Sequence, residues 1–173
     1  MEKLVLVDLF DNEIGYSEKE TVHKKGLLHR AFSVFVVSKN KMLIQRRNKN
    51  KYHSGGLWTN ACCSHPRENE TLSDAVERRL REELGIKSME AAESFHFIYY
   101  YPFENGLCEY EYDHVFIMEY DGSEISPEPS ETDSVQWITF DALAQELVES
   151  PEKFTAWFLI AAPKILEILK GKK

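Results

Sequence analysis

Residues Leu57–Ile86 read LWTNACCSHPRENETLSDAVERRLREELGI, and the second half of that stretch decides the fold. From Leu72 to Leu84 the apolar residues Leu72, Ala75, Val76, Leu80 and Leu84 recur at helical spacing. On a wheel of about 100° per residue they form one stripe. Gly85 follows as the C-cap. Arg79 and Glu83 fall inside the stripe, flanked by Ala75 and Val76. A buried carboxylate is tolerated only beside a cation or a metal, or with a changed protonation state. A surface pair at i,i+4 contributes only a few tenths of a kcal/mol. That account suits Arg78–Glu82 at the margin of the stripe and suits Arg79–Glu83 poorly. This helix face therefore reads as a functional site.

Working outward, Lys3–Phe10 alternates and predicts a first strand, ended by Asp11-Asn12-Glu13. Phe32–Val37 and Met42–Arg46 predict a hairpin around Ser38-Lys39-Asn40-Lys41. The polar stretch Asn48–Trp58, with Gly55-Gly56, predicts a loop. Phe95–Tyr101 is an aromatic strand, and Asn105-Gly106 turns it into a long strand, Cys108–Tyr120. An acidic loop over Gly122–Asp133 precedes a short strand, Val135–Ile138, and a helix, Asp141–Val148. Ser150-Pro151 opens a further helix through Trp157, and Pro163 is expected to break or kink it. Strands on both sides of a central helix, then C-terminal helices, predict an α+β fold: an α/β sandwich with a mixed sheet flanked by helices. The length of 173 residues suits one domain, 1–173.

The net charge of −8 argues against nucleic acid as the main partner, so an anionic ligand needs a local basic patch or a metal. Three cysteines are an odd number, and Cys62 and Cys63 are adjacent, which points to reduced thiols in the cytoplasm. The opening MEKLVLVDLFDNE is too short and acidic for a signal peptide, and no apolar run approaches the ~20 residues of a membrane span.

Glu109 and Glu111, two apart in a strand, face the same way at about 7 Å, and Asp113 continues the row. Alone they read as a solvated face on an edge strand. His23, His29 and His65 supply imidazoles, each singly more often a surface or core residue than a ligand. Together, three imidazoles and two carboxylates suit a divalent transition metal. Arg46, Arg47, Lys49 and Lys51, with Lys19 upstream, cluster positive charge against the acidic background, as an anion site would. Cys63 sits two residues before His65.

These residues carry a resemblance. Glu70 with Arg78-Arg79-Leu80-Arg81-Glu82-Glu83-Leu84-Gly85-Ile86 resembles the Nudix box, G-x5-E-x7-R-E-U-x-E-E-x-G-U, where U is a bulky aliphatic. Ser64 replaces its first Gly, and Arg79 replaces a metal-holding Glu, which argues against diphosphate hydrolysis. Thr59-Asn60-Ala61-Cys62-Cys63-Ser64-His65-Pro66 resembles the TNxxCxHP signature of the type I isopentenyl-diphosphate delta-isomerases, and Cys108-Glu109-Tyr110-Glu111 their ExE strand. The similarity runs to about Trp157.

That resemblance implies isomerisation of isopentenyl to dimethylallyl diphosphate through a tertiary carbocation. It implies one octahedral Mn²⁺, Mg²⁺ or Zn²⁺ on His23, His29, His65, Glu109 and Glu111, with His23 one residue closer to His29 than in the family pattern. Lys19, Arg47, Lys51 and Arg79 would contact the substrate diphosphate, and Glu83 would hold a Mg²⁺ bridging to it. Glu111, helped by Tyr99, would protonate the terminal carbon; Cys63 would take the proton from the adjacent methylene; Trp157 would face the cation. Trp157 reads about equally well as helix packing, and Cys62 and Cys108 read as structural. The implied partner is a small molecule, for a monomer or weak dimer. The rivals are a Nudix hydrolase of a nucleoside diphosphate derivative and a non-catalytic ligand sensor, opposed by Arg79 and by Cys63 with Glu111 respectively.

Overall fold

A computed structural model describes residues 2–87 and 90–171. Strands β1 (Lys3–Val7) and β2 (Glu13–Glu18) form an antiparallel hairpin, followed by the short helix α1 (Lys19–Lys25). Then come β3 (His29–Ser38), β4 (Lys41–Arg47), β5 (Trp58–Thr59), β6 (Cys62–Ser64) and the helix α2 (Leu72–Leu84). After these run β7 (Ala92–Pro102), β8 (Cys108–Glu119), β9 (Thr132–Thr139), α3 (Phe140–Glu149) and α4 (Ala156–Gly171).

One mixed sheet is organised on β3. Along one edge β3 pairs parallel with β8 over residues 29–37, and β8 pairs antiparallel with β7. Along the other edge it pairs with β6 through Phe32–Val34 and with β4 through Val36–Ser38. β4 continues the sheet to β9 and β5. Successive side chains of a strand point to opposite faces. Phe32, Val34 and Val36 therefore pack against Ala75, Val76, Leu80 and Leu84 of α2. Phe35 and Val37 pack on the other side, with Leu143 of α3 and Phe158, Ala161, Ala162 and Ile165 of α4. Helices on both faces of a mixed sheet match the expected α+β sandwich.

The α2 boundaries coincide with the apolar stripe. Thr71 caps the start by accepting from the Asp74 amide, and Gly85 ends the helix at φ 68°. β8 is an interior strand, so Glu109, Glu111 and Asp113 are buried at 3%, 8% and 1% exposure, and the rival reading of a solvated edge face does not hold. Three expectations need correction. The first strand stops at Val7, because Asp8 turns the chain by accepting from the amides of Phe10 and Asn12. Pro151–Lys153 forms only a 3-10 turn. Phe154 is extended, and the Thr155 amide bonds the Trp58 carbonyl before α4 begins. Finally, α4 runs through Pro163. A proline inside a helix costs about 3 kcal/mol. Here it is outweighed by Ala161, Ala162, Ile165 and Leu166, buried on either side of it; one such large aliphatic side chain contributes about 1.5–3 kcal/mol. Among the described residues no helix is long and apolar enough to cross a membrane.

Candidate active site

The β3 register builds the site. Glu111 on β8 stands opposite His29, and Cys63 on β6 stands opposite Ser33. His29 and Ser33 are four residues apart on one strand, so both partners lie on the same sheet face. Tyr99 on β7 stands opposite Glu111. One cleft is lined by Cys63, His65, Tyr99, Glu109, Glu111 and Trp157 together with Lys19, Arg47, Lys51, Arg79 and Glu83. Adjacent residues alternate faces, which separates the vicinal thiols: Cys62 enters the core against α2, and Cys63 faces the cleft.

His23 from α1, His29 and His65 meet at the buried end, with ring centroids 4.9–5.6 Å apart. Ligand atoms of these three and of Glu109 all lie within 4.8 Å of one another, so the short His23–His29 spacing still brings His23 in. Their tautomers follow from the backbone. His23 Nδ1 lies 2.7 Å from the Lys19 carbonyl and His29 Nδ1 2.9 Å from that of Leu27. A carbonyl only accepts, so each Nδ1 carries a hydrogen, and a neutral ring, as a metal would require, then presents its Nε2 lone pair. Those Nε2 atoms and Glu109 Oε2 are buried without a hydrogen-bond partner, although Glu109 Oε2 is 3.1 Å from His23 Nε2. Orphaned lone pairs aimed at one point fit a divalent cation, with imidazoles oriented by carbonyls behind them. Glu111 stands at the margin of this group, 2.8 Å from His65 Nε2 and 3.7 Å from His29 Nε2.

Burial would raise the Glu111 carboxyl, but the hydrogen bond with His65 and the nearby His29 imidazole hold it well below the usual range. Burial pushes His65 down to about 4 against the pull of Glu111, so His65 is neutral at physiological pH. The Tyr99 hydroxyl, driven well up by burial and the Glu111 charge, donates to Glu111 Oε2 at 2.6 Å. Burial also pushes the Cys63 thiol up to about 12, against Arg47, whose Nη1 is 3.8 Å from the sulfur. In the ligand-free protein Cys63 and Tyr99 hold their protons and Glu111 is ionised.

The cationic side of the cleft is stitched by carboxylates. Arg79 Nη2 is 2.5 Å from Glu83 Oε1, and Arg79 Nη1 is 2.8 Å from Glu82. Gln45 Nε2 donates to Glu83 Oε2 at 3.0 Å, and Glu83 is only 3% exposed. Arg78 instead forks onto Glu70 at 2.6 and 2.8 Å. Glu131 pairs with Lys51 and reaches Arg79 at 3.5 Å. Arg47 lies over the Trp157 ring at 5.3 Å, and Trp157 Nε1 donates to Asn60 Oδ1 at 3.2 Å, which fixes the indole.

Sequence reasoning missed Gln45, His53 and Glu131, and gave Asn60 a place in the TNxxCxHP stretch but no role. None lies in a periodic segment whose burial could be read in advance, except Gln45, whose polar type on β4 gave no hint of its partner.

The NUDIX domain model matches residues 27–158. An isopentenyl-diphosphate Delta-isomerase of Burkholderia multivorans is 46% identical over 91% of this chain and 89% of its own length. The chain belongs to the isopentenyl-diphosphate delta-isomerase branch of the NUDIX family. A second member, isopentenyl-diphosphate Delta-isomerase 2 of Aromatoleum aromaticum, is 42% identical over 95% of this chain and 87% of its own. Among solved structures, DR0079 of Deinococcus radiodurans superposes with a TM-score of 0.76 over 94% of this chain and 98% of its own, at 18% identity. A MutT NUDIX hydrolase of Burkholderia pseudomallei superposes with a TM-score of 0.64 over 79% of this chain and 96% of its own, at 21% identity. At those identities the likeness is one of fold.

Proposed function

We propose that this protein isomerises isopentenyl diphosphate to dimethylallyl diphosphate, in the cytoplasm, with a divalent metal on the histidine cluster. The observation that carries the reading is the pairing of Cys63 with the Tyr99–Glu111 couple in one cleft, from strands on either side of β3. Moving a double bond requires an acid that protonates the alkene and a base that removes a proton elsewhere. A thiol and a hydrogen-bonded carboxylate, separated by the substrate, supply both.

His23, His29, His65 and Glu109 would hold the metal, with Glu111 at its margin. Bound there, Mn²⁺, Mg²⁺ or Zn²⁺ would supply positive charge that acidifies the groups around it. Lys19, Arg47, Lys51 and Arg79 bind and orient the diphosphate at the open end. Glu83, held by Gln45 and Arg79, is the carboxylate available to a Mg²⁺ carried in by that diphosphate. Tyr99 holds the proton nearest Glu111 and passes it toward the terminal carbon through that carboxylate. Cys63 takes the proton from the adjacent methylene, and its thiol must first ionise beside Arg47. In the reverse direction the thiol is already protonated and acts as the donor. Trp157, locked by Asn60, presents its π-face to the cation and shields it from water. Arg79 puts positive charge where the Nudix box has a ligand, so the diphosphate is held and not cleaved.

Incubation with isopentenyl diphosphate and Mg²⁺, followed by chromatography and a phosphate assay, tests this. Dimethylallyl diphosphate without released phosphate is expected. Phosphate release, or no product, would overturn the reading.

A further inference from the structure

We propose that His53 is a positioning residue of the histidine–carboxylate centre: its Nε2–H holds Glu109 Oε1 so that Oε2 faces the three imidazoles. The proposal rests on the reading of that centre as a metal site. His53 Nε2 is 2.7 Å from Glu109 Oε1, and both side chains are only 4% exposed. The other oxygen, Oε2, is the one left without a hydrogen-bond partner, 3.1 Å from His23 Nε2 and 3.8 Å from His29 Nε2. Glu109 thus has one oxygen committed and one free, and the free one points into the cluster. A carboxylate without that anchor could rotate either oxygen inward and would lose orientation.

The His53 ring is itself held. It stacks on Phe103 at 4.3 Å and 15°, and meets Trp157 edge-on at 6.0 Å and 90°. Its loop is tied down where Asn105 Nδ2 donates to the Tyr52 carbonyl at 2.8 Å. The turn that presents the ring is built at a conformational cost. Ser54 has φ 52°, in the left-handed region that side chains other than glycine rarely adopt. Gly55 has no room for a Cβ, which would lie 2.5 Å from the Lys49 carbonyl oxygen. Two consecutive backbone constraints follow directly behind His53, as expected where one side-chain orientation must be fixed.

Outer partners of metal ligands are commonly worth about 10–100-fold in metal affinity. The test titrates Mn²⁺ into metal-free protein and reads the free ion by electron paramagnetic resonance, beside thermal melting of the metal-free form. His53→Phe keeps the stack on Phe103 and removes the donor, and should bind Mn²⁺ about 10–100-fold more weakly. His53→Gln restores a donor and should recover most of that loss. Phe103→Leu, which loosens the stack and keeps the donor, should bind nearly as wild type; without metal, His53→Gln and Phe103→Leu should melt close to wild type, and His53→Phe should melt somewhat lower but in one cooperative transition. Wild-type affinity in His53→Phe, or a defect in His53→Gln equal to that in His53→Phe, would overturn the role of His53 alone. Wild-type protein that binds no Mn²⁺ would overturn the metal centre itself, and this proposal with it.

Discussion

Tyr99 and Glu111 stand directly opposite each other across the β7–β8 ladder, and the tyrosine hydroxyl donates to Glu111 Oε2 at 2.6 Å. Both side chains are buried, so the hydroxyl proton has no competing acceptor in water. Tyr99→Phe should lower kcat by about 10²–10⁴, the usual worth of a positioned proton donor. Metal content should stay unchanged. The cost in stability should be about 1–3 kcal/mol, from leaving a buried acceptor without its partner. An unchanged kcat would remove Tyr99 from the proton path.

Cys63 and Cys62 separate chemistry from packing. Cys63→Ala should abolish isomerisation and leave fold and metal content intact. Cys62→Ala should stay active and lose about 1 kcal/mol, because that sulfur packs in the core against α2. Kinetics and melting of the two variants check this. The opposite pattern would move the reacting thiol by one residue.

The Cys63 thiol should be sluggish toward alkylation in the ligand-free protein. Only the thiolate attacks, and burial raises this thiol to about 12. The rate of iodoacetamide labelling, followed by peptide mass spectrometry, should be low at neutral pH and still climbing above pH 10. A plateau near pH 8–9 would show an ordinary exposed thiol.

Glu83 is enclosed, not bathed in water as a ligand-free pocket residue would be. Gln45 and Arg79 bind both its oxygens. Glu83→Gln should therefore cost about 1–3 kcal/mol, less than breaking a sole buried ion pair, since Arg79 keeps Glu82 and Glu131. It should also lose Mg²⁺-dependent pyrophosphate affinity by calorimetry. Glu82→Gln, exposed, should change either property little. Normal pyrophosphate affinity in Glu83→Gln would leave that residue a purely structural role.

Removal of a ligand tests the histidine cluster. His65→Ala should reduce bound divalent metal in elemental analysis of purified protein. Metal content equal to wild type would sink the site.

The legible parts of this protein are those in which one periodic pattern reports one environment. The α2 stripe gave its two ends, its buried face and the odd position of Glu83. The Glu109–Glu111–Asp113 row gave a shared face but not its burial, because a strand's place in the sheet depends on partners distant in sequence: His29 and Tyr99. α1 went unread, since KETVHKK buries only Val22 and His23 and has no apolar stripe. His53 and Glu131 sit in loops, where side-chain direction follows from turns such as that at Ser54. Pro163 misled because its local cost is outweighed by packing on both sides.

Proton nuclear magnetic resonance of isopentenyl diphosphate turned over in D₂O with Mg²⁺ most directly tests the claim that two separate groups, Cys63 and the Tyr99–Glu111 couple, handle the two protons. Both exchange with solvent, so the new methyl group of dimethylallyl diphosphate should carry solvent deuterium, with no release of phosphate. Conversion with the substrate's own hydrogen retained in that methyl would mean that one group carries the proton both ways, and would contradict the account.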